Sequence, residues 1–100
     1  MAAGTMLEVV RNYLDITYED IQTDQKLTGI IEQGRAYLDQ IAGRVQDYET
    51  DHVPRALLLD YCRYARNNAL ELFEENFKTD LITLRIGVQV EEYAAGQGYI

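Results

Sequence analysis

The chain has 100 residues, 47% of them hydrophobic, which is enough for one domain with a core of its own. Its formal net charge of −8 argues against wrapping nucleic acid, since phosphate neutralisation needs clustered Lys and Arg. The single cysteine, Cys62, excludes an internal disulfide and a multi-cysteine zinc site. The sequence carries neither a signal-peptide pattern nor an apolar run of about 20 residues, so we expect a soluble intracellular chain without a membrane span.

Apolar residues at helical spacing predict a short first helix over about 6–14. Thr5 precedes it and is the candidate N-cap. The polar segment over 15–22 carries two apolar anchors and is interpreted as the connection to the next helix.

A second helix is predicted over about 23–42, with its N-cap at Thr23 or Asp24. Gly43 follows its last apolar residue and can adopt the left-handed conformation that ends a helix. Gly34 lies inside this helix, where glycine costs about 1 kcal/mol relative to alanine. We therefore expect another backbone to approach closely at that position.

A third, long helix is predicted over about 54–77, with Pro54 in its first turn, where the missing N–H costs nothing. No further proline and no glycine interrupts it. Its apolar residues cover a wider arc than one packing partner needs, which indicates contact with another subunit. The residues predicted for that subunit contact are Leu59, Arg66, Leu70 and Phe77.

The hydrophobic period changes to two after Lys78, which favours an extended C-terminal arm with a half-buried β-strand over about 81–91. A continuing amphipathic helix is the alternative. The apolar residues of the alternation, predicted to form a docking face, are Ile82, Leu84, Ile86, Val88 and Val90. The predicted fold is thus all-α, with a three-helix domain over 1–78 and an arm and tail over 79–100.

Residues that could carry chemistry are few. His52 is the only histidine, and Cys62 falls on the most apolar face of its helix, as a buried core thiol would. We expect no catalytic, cofactor-binding or metal-binding residues. Eight tyrosines, against two Phe and no Trp, modestly favour an interaction protein, because tyrosine is enriched at protein interfaces.

Three segments carry a family resemblance: YLDI at the end of the first helix, LTGIIEQGRAYLDQIAG, and ALLLDYCRYARNNALELFEENF. Together they resemble the head–tail connector (adaptor) family of tailed phages and prophages, over roughly 7–77. The most distinctive portion is 57–77, where Tyr64, Arg66 and Asn67 fall where the family often carries a Tyr…Arg/Asn pattern.

The resemblance implies a ring of identical subunits, usually a dodecamer, below the portal protein at the capsid vertex. DNA would pass through the ring without specific binding, and a stopper or other tail-side neck protein would dock beneath it. The C-terminal arm would reach toward the portal; because this chain is shorter after its long helix than some members, the extent of that arm stays open. The protein would be made in the cytoplasm of the bacterial host and end in the neck of the virion.

Two other classes remain open. One is a cytosolic helical partner or regulatory protein that masks a basic surface, which would form a stoichiometric heterodimer and no ring. The other is a small enzyme working as an obligate oligomer, which would need a buried carboxyl group with a strongly raised pKa. The sequence offers no candidate for such a group.

Overall fold

The computed structural model describes the backbone of residues 2–96 and the side chains of residues 6–94. Within this part of the chain there are five helices and no strand, so the predicted all-α class is confirmed. The helices are α1 (Ala2–Tyr13), α2 (Ile21–Ala42), α3 (His52–Arg66), α4 (Leu70–Asn76) and α5 (Lys78–Gly96).

Helix α2 lies at the centre of the bundle and contacts α1, α3 and α5, while α4 packs against α3 and α5. Every helix contributes buried apolar side chains to one core. The largest of those that are fully buried are Phe73, Met6, Leu27, Leu38, Leu58 and Val10. Burial of these side chains removes apolar surface from water and is the main force that holds the helices together.

Helices α2 and α3 pack closely at Gly34. A Cβ added to this glycine would lie 2.8 Å from Leu58 Cδ1 and 2.8 Å from Tyr61 Cδ1. The close approach expected at Gly34 is therefore present, although side chains of α3 make it and not a backbone. Glycine is needed here because side chains of α3 fill the space that a Cβ would occupy.

Aspartates define the starts of α2 and α3. Asp20 accepts a hydrogen bond from the backbone N–H two residues on, at 3.2 Å, and Asp51 does the same at 3.3 Å. These helices therefore begin earlier than predicted, and the first helix likewise begins before Thr5. The predicted C-cap is confirmed: Gly43 has φ of 92°, and its N–H donates to the carbonyl oxygen of Asp39 at 2.9 Å.

The prediction of a single long helix over 54–77 is wrong, because α3 ends at Arg66 and α4 begins at Leu70. Asn68 adopts a left-handed conformation with φ of 55°, and Asn67 Nδ2 donates to the carbonyl oxygen of Arg63 at 2.8 Å. Asparagine tolerates the left-handed region, and its amide competes with the backbone for hydrogen bonds. Two adjacent asparagines thus end a helix in a segment without glycine or proline.

The segment predicted to contain a strand, about 81–91, lies within helix α5. Leu81, Leu84 and Val88 recur at helical spacing, are buried, and belong to the same core as the other helices. The alternation of period two arises because α5 carries apolar residues on two faces. A helix satisfies its own backbone hydrogen bonds, whereas a strand here would have no partner within the described residues. Packing on the core thereby overrides the β-propensity of Ile and Val.

The loop between α2 and α3 is fixed by Tyr48, which is buried. Its hydroxyl donates to Asp39 Oδ1 at 2.6 Å and lies 3.2 Å from the carbonyl oxygen of Arg35. Burial is the main cause that raises the pKa of Tyr48 well above its ordinary value, and the hydrogen bond to Asp39 raises it further. The neutral phenol is therefore part of the folded structure.

We expect Gly34→Ala to destabilise the fold by about 1–3 kcal/mol, because overpacking against Leu58 and Tyr61 outweighs the gain in helix propensity. Gly29→Ala is the matched control, since a Cβ there meets nothing within 4 Å. It should stabilise the same helix by up to about 1 kcal/mol. Urea unfolding of both variants measures the two changes. Equal stabilisation by both would contradict the close packing at Gly34.

The stabilisation that Tyr48 provides should depend on pH in the alkaline range. Because the pKa of Tyr48 is raised in the folded state, its contribution to stability is complete below pH 10 and is lost as the pH rises above that value. Tyr48→Phe should cost about 1 kcal/mol at neutral pH, through the lost hydrogen bond, yet lose less stability than the wild type above pH 10. Urea unfolding between pH 7 and 11 tests this. Parallel declines in both proteins would refute it.

Candidate interaction surface

An aromatic cluster positions α4 against α2 and α3. Phe73 is 1% exposed and meets Tyr61 edge to face at 5.5 Å and Tyr64 at 5.7 Å between ring centroids. Phe77 stacks on Phe73 at 4.8 Å, and Tyr37 on α2 completes the cluster at 6.2 Å from Phe73. Such ring pairs add to the stability that burial alone provides. Helix α4, with only seven residues, therefore holds a fixed orientation.

The four residues predicted for the subunit contact lie on both sides of the break between α3 and α4. Leu59 is half-buried on α3, and Arg66, at the end of that helix, is exposed and donates to the hydroxyl of Tyr18 at 3.1 Å. Leu70 is half-buried at the start of α4, and Phe77 is half-buried in the aromatic cluster. The prediction assumed one helix through all four residues, so they do not form the continuous strip that it described.

An open groove of about 540 Å³ runs between the end of α2 and the junction of α4 with α5. It is lined by Ile41, Glu71, Glu74, Glu75, Lys78, Leu81, Ile82 and Arg85. At its acidic edge, Tyr37 donates a hydrogen bond to Glu74 Oε2 at 3.2 Å. Burial and this hydrogen bond raise the pKa of Tyr37 to about 12. The groove thus combines an apolar base with a charged rim, in which three glutamates of α4 stand beside Lys78 and Arg85.

The largest row of exposed apolar side chains lies on α5. We call it the outer stripe, and it consists of Ile82, Ile86, Val90 and Tyr93. These side chains are 50%, 52%, 60% and 66% exposed. Spacings of four, four and three residues place them on one face of the helix. This face is opposite the buried residues Leu81, Leu84 and Val88, so α5 is apolar on both sides.

The outer stripe only partly coincides with the docking face that the alternating pattern predicted. Ile82, Ile86 and Val90 are exposed as that prediction requires, whereas Leu84 and Val88 are buried in the core. All five would share a face in a strand, but a helix divides them. Tyr93 was missed because the alternation ends before it. Its position, three residues after Val90, would have revealed it under the helical alternative.

The residues considered for chemistry lie apart from these surfaces. Cys62 is fully buried, and burial raises the pKa of its thiol to about 12, so it is not a nucleophile at neutral pH. His52 is exposed in the first turn of α3. Among the described side chains, no group of three or more His, Cys, Asp or Glu is placed to hold a metal ion. None of the described helices is long and apolar enough to cross a membrane.

Neither a protein family, nor a curated protein, nor a solved structure matches the chain. Its function must therefore be argued from its own surfaces, since a helical bundle alone does not specify a function. Those surfaces are an exposed apolar stripe and a groove with a charged rim beside it. Exposed apolar rows rimmed by polar residues are typical of protein–protein interaction sites.

The two faces of α5 should respond differently to truncation. Leu84→Ala should destabilise the fold by about 2–5 kcal/mol, because it leaves a cavity in the core. Ile86→Ala should change the stability of the dilute protein by no more than about 0.5 kcal/mol. Urea unfolding of both variants at low protein concentration measures the difference. Similar losses in both variants would indicate that Leu84 and Ile86 share a face, as in a strand.

Proposed function

We propose that the chain is the subunit of a phage head–tail connector ring, with a structural and not a catalytic role. The observation that carries the proposal is the outer stripe of α5, an apolar face that the described part of the fold leaves uncovered. The class of protein is inferred from the resemblance over 7–77 to the connector family of tailed phages. A small all-helical subunit agrees with that class.

Portal docking is assigned to α5. An exposed row of apolar residues on a helix is the kind of surface that binds in an apolar groove of a partner, with anchors recurring at helical spacing. In this proposal Ile82, Ile86 and Val90 are the anchors on the portal. Leu84 and Val88, predicted for the same face, keep α5 on the bundle and so set the direction in which the anchors project.

We assign the subunit contacts in the ring to the middle and end of α3 and to both ends of α4. Arg66 is exposed, and Leu59, Leu70 and Phe77 are each half-buried, so a neighbouring subunit could complete their burial. A closed ring needs two different surfaces on each subunit, one facing each neighbour. Leu59 and Arg66 lie on α3, whereas Leu70 begins α4 and Phe77 follows its last residue, so the four residues are not confined to one helix.

The acidic charge fits a channel through which DNA passes without binding. The net charge is −8, and Glu71, Glu74 and Glu75 are exposed together beside the groove. Acidic side chains repel phosphate, so DNA would not adhere to a lumen that they line. A stopper or other tail-side neck protein would bind the opposite end of the ring.

The proposal is tested by mixing the purified chain with the portal protein of the same phage and measuring the native mass of the complex. We expect one large species that contains a closed ring of the chain, a dodecamer by the resemblance, on the portal. Ile86→Glu should abolish this species, because it places a charge in the apolar contact. Val45→Glu is the matched control, since Val45 is an exposed apolar residue outside α5 and the substitution adds the same charge.

Unchanged binding by Ile86→Glu would refute the role of α5. No ring with or without the portal would refute the connector function. A one-to-one heterodimer with a basic protein in place of a ring would favour the regulatory alternative.

A further inference from the structure

The outer stripe of α5 also has a pattern that fits a second copy of itself. Ile82 is eleven residues from Tyr93, and Ile86 is four residues from Val90, so both pairs are centred close to residue 88. If a second α5 runs in the opposite direction, Ile82 of each copy falls opposite Tyr93 of the other. Ile86 then falls opposite Val90, to within one residue.

We propose that, in the absence of a larger partner, α5 pairs with α5 of a second copy in an antiparallel arrangement through the outer stripe. Each copy contributes the same four side chains, as a twofold interface requires. The pairing does not depend on the connector function, since it concerns the free chain alone.

Charge complementarity favours the antiparallel direction. Arg85 and Glu92 are seven residues apart and therefore lie along the same edge of the stripe. In an antiparallel helix pair, like edges face each other, so Arg85 of one copy meets Glu92 of the other, twice in each dimer. Within the described residues of one chain, neither side chain takes part in a salt bridge. A parallel pair would leave both charges opposite uncharged residues.

Small residues line the other edge of the stripe, which allows two helices to approach closely. It carries Thr83, Gly87 and Ala94. Glycine is less favourable than alanine inside a helix, yet a Cβ at Gly87 would meet nothing within 4 Å in the single chain. Packing within the chain therefore gives no reason for a glycine there. In the antiparallel pair the two Gly87 residues lie near the twofold axis.

The pairing has a consequence for assembly. It covers the same anchors, Ile82, Ile86 and Val90, that we assign to the portal contact. The two contacts exclude each other, so the free dimer keeps its apolar stripe out of water until the portal displaces one copy.

Solution mass and cross-linking test the pairing on the purified full chain, with no portal present. Sedimentation equilibrium should give twice the chain mass of 11.5 kDa at high concentration, falling to the single mass on dilution. Ile82→Cys and Tyr93→Cys variants, mixed and oxidised, should form a disulfide-linked dimer, whereas each variant alone should not. The native Cys62 does not interfere, because it is fully buried.

Charge reversal tests the register independently. Arg85→Glu and Glu92→Arg should each weaken the dimer roughly tenfold, since each replaces two attractions with two repulsions. The double variant, R85E/E92R, should restore dimerisation, and circular dichroism checks that all variants stay helical. Self-cross-linking of Ile82→Cys alone would indicate a parallel pair and overturn the proposal. A single mass of 11.5 kDa at all concentrations would overturn it too, while leaving the connector function to its own test.

Discussion

The contact between α2 and α3 at Gly34 determines where α4, and with it α5, can pack. Because the glycine has no side chain, Leu58 and Tyr61 lie directly against α2. Tyr61 in turn contacts Phe73, which fixes the short helix α4. Helix α5 follows α4 after one residue and packs on α2. The direction in which the outer stripe faces therefore depends on the contact of α2 with α3 at Gly34.

Tyrosine hydroxyls donate hydrogen bonds to three of the carboxylates of this acidic domain. Tyr13 donates to Asp60 at 2.6 Å, as Tyr48 does to Asp39 and Tyr37 to Glu74. A neutral donor stabilises a carboxylate without cancelling its charge. The excess of tyrosine in the sequence modestly favours an interaction protein. The structure gives several of these residues an additional role inside the domain, which the residue count alone could not reveal.

Local signals in the sequence predicted much of the helical fold. The spacing of apolar residues located α2, and Gly43 ended it as expected. The break after Arg66 was missed because asparagine is a weaker signal than glycine or proline, and only its left-handed conformation shows its effect. The strand was favoured over a helix in α5 because a helix with two apolar faces produces the same alternation as a strand. Which of those faces is buried depends on contacts with α2, and the sequence of α5 does not contain that information.

The candidate site was predictable to a smaller degree for the same reason. Three residues of the outer stripe were identified, but two members of the predicted face, Leu84 and Val88, belong to the core. We infer that α5 uses its inner face for folding and its outer face for partners. Electron cryo-microscopy of necks isolated from virions would show which face of α5 is buried in the assembly. For the proposed connector function, we expect a ring of this chain whose outer stripe is buried against the portal. A stripe exposed to solvent in the assembled particle, or particles without the chain, would refute the proposal.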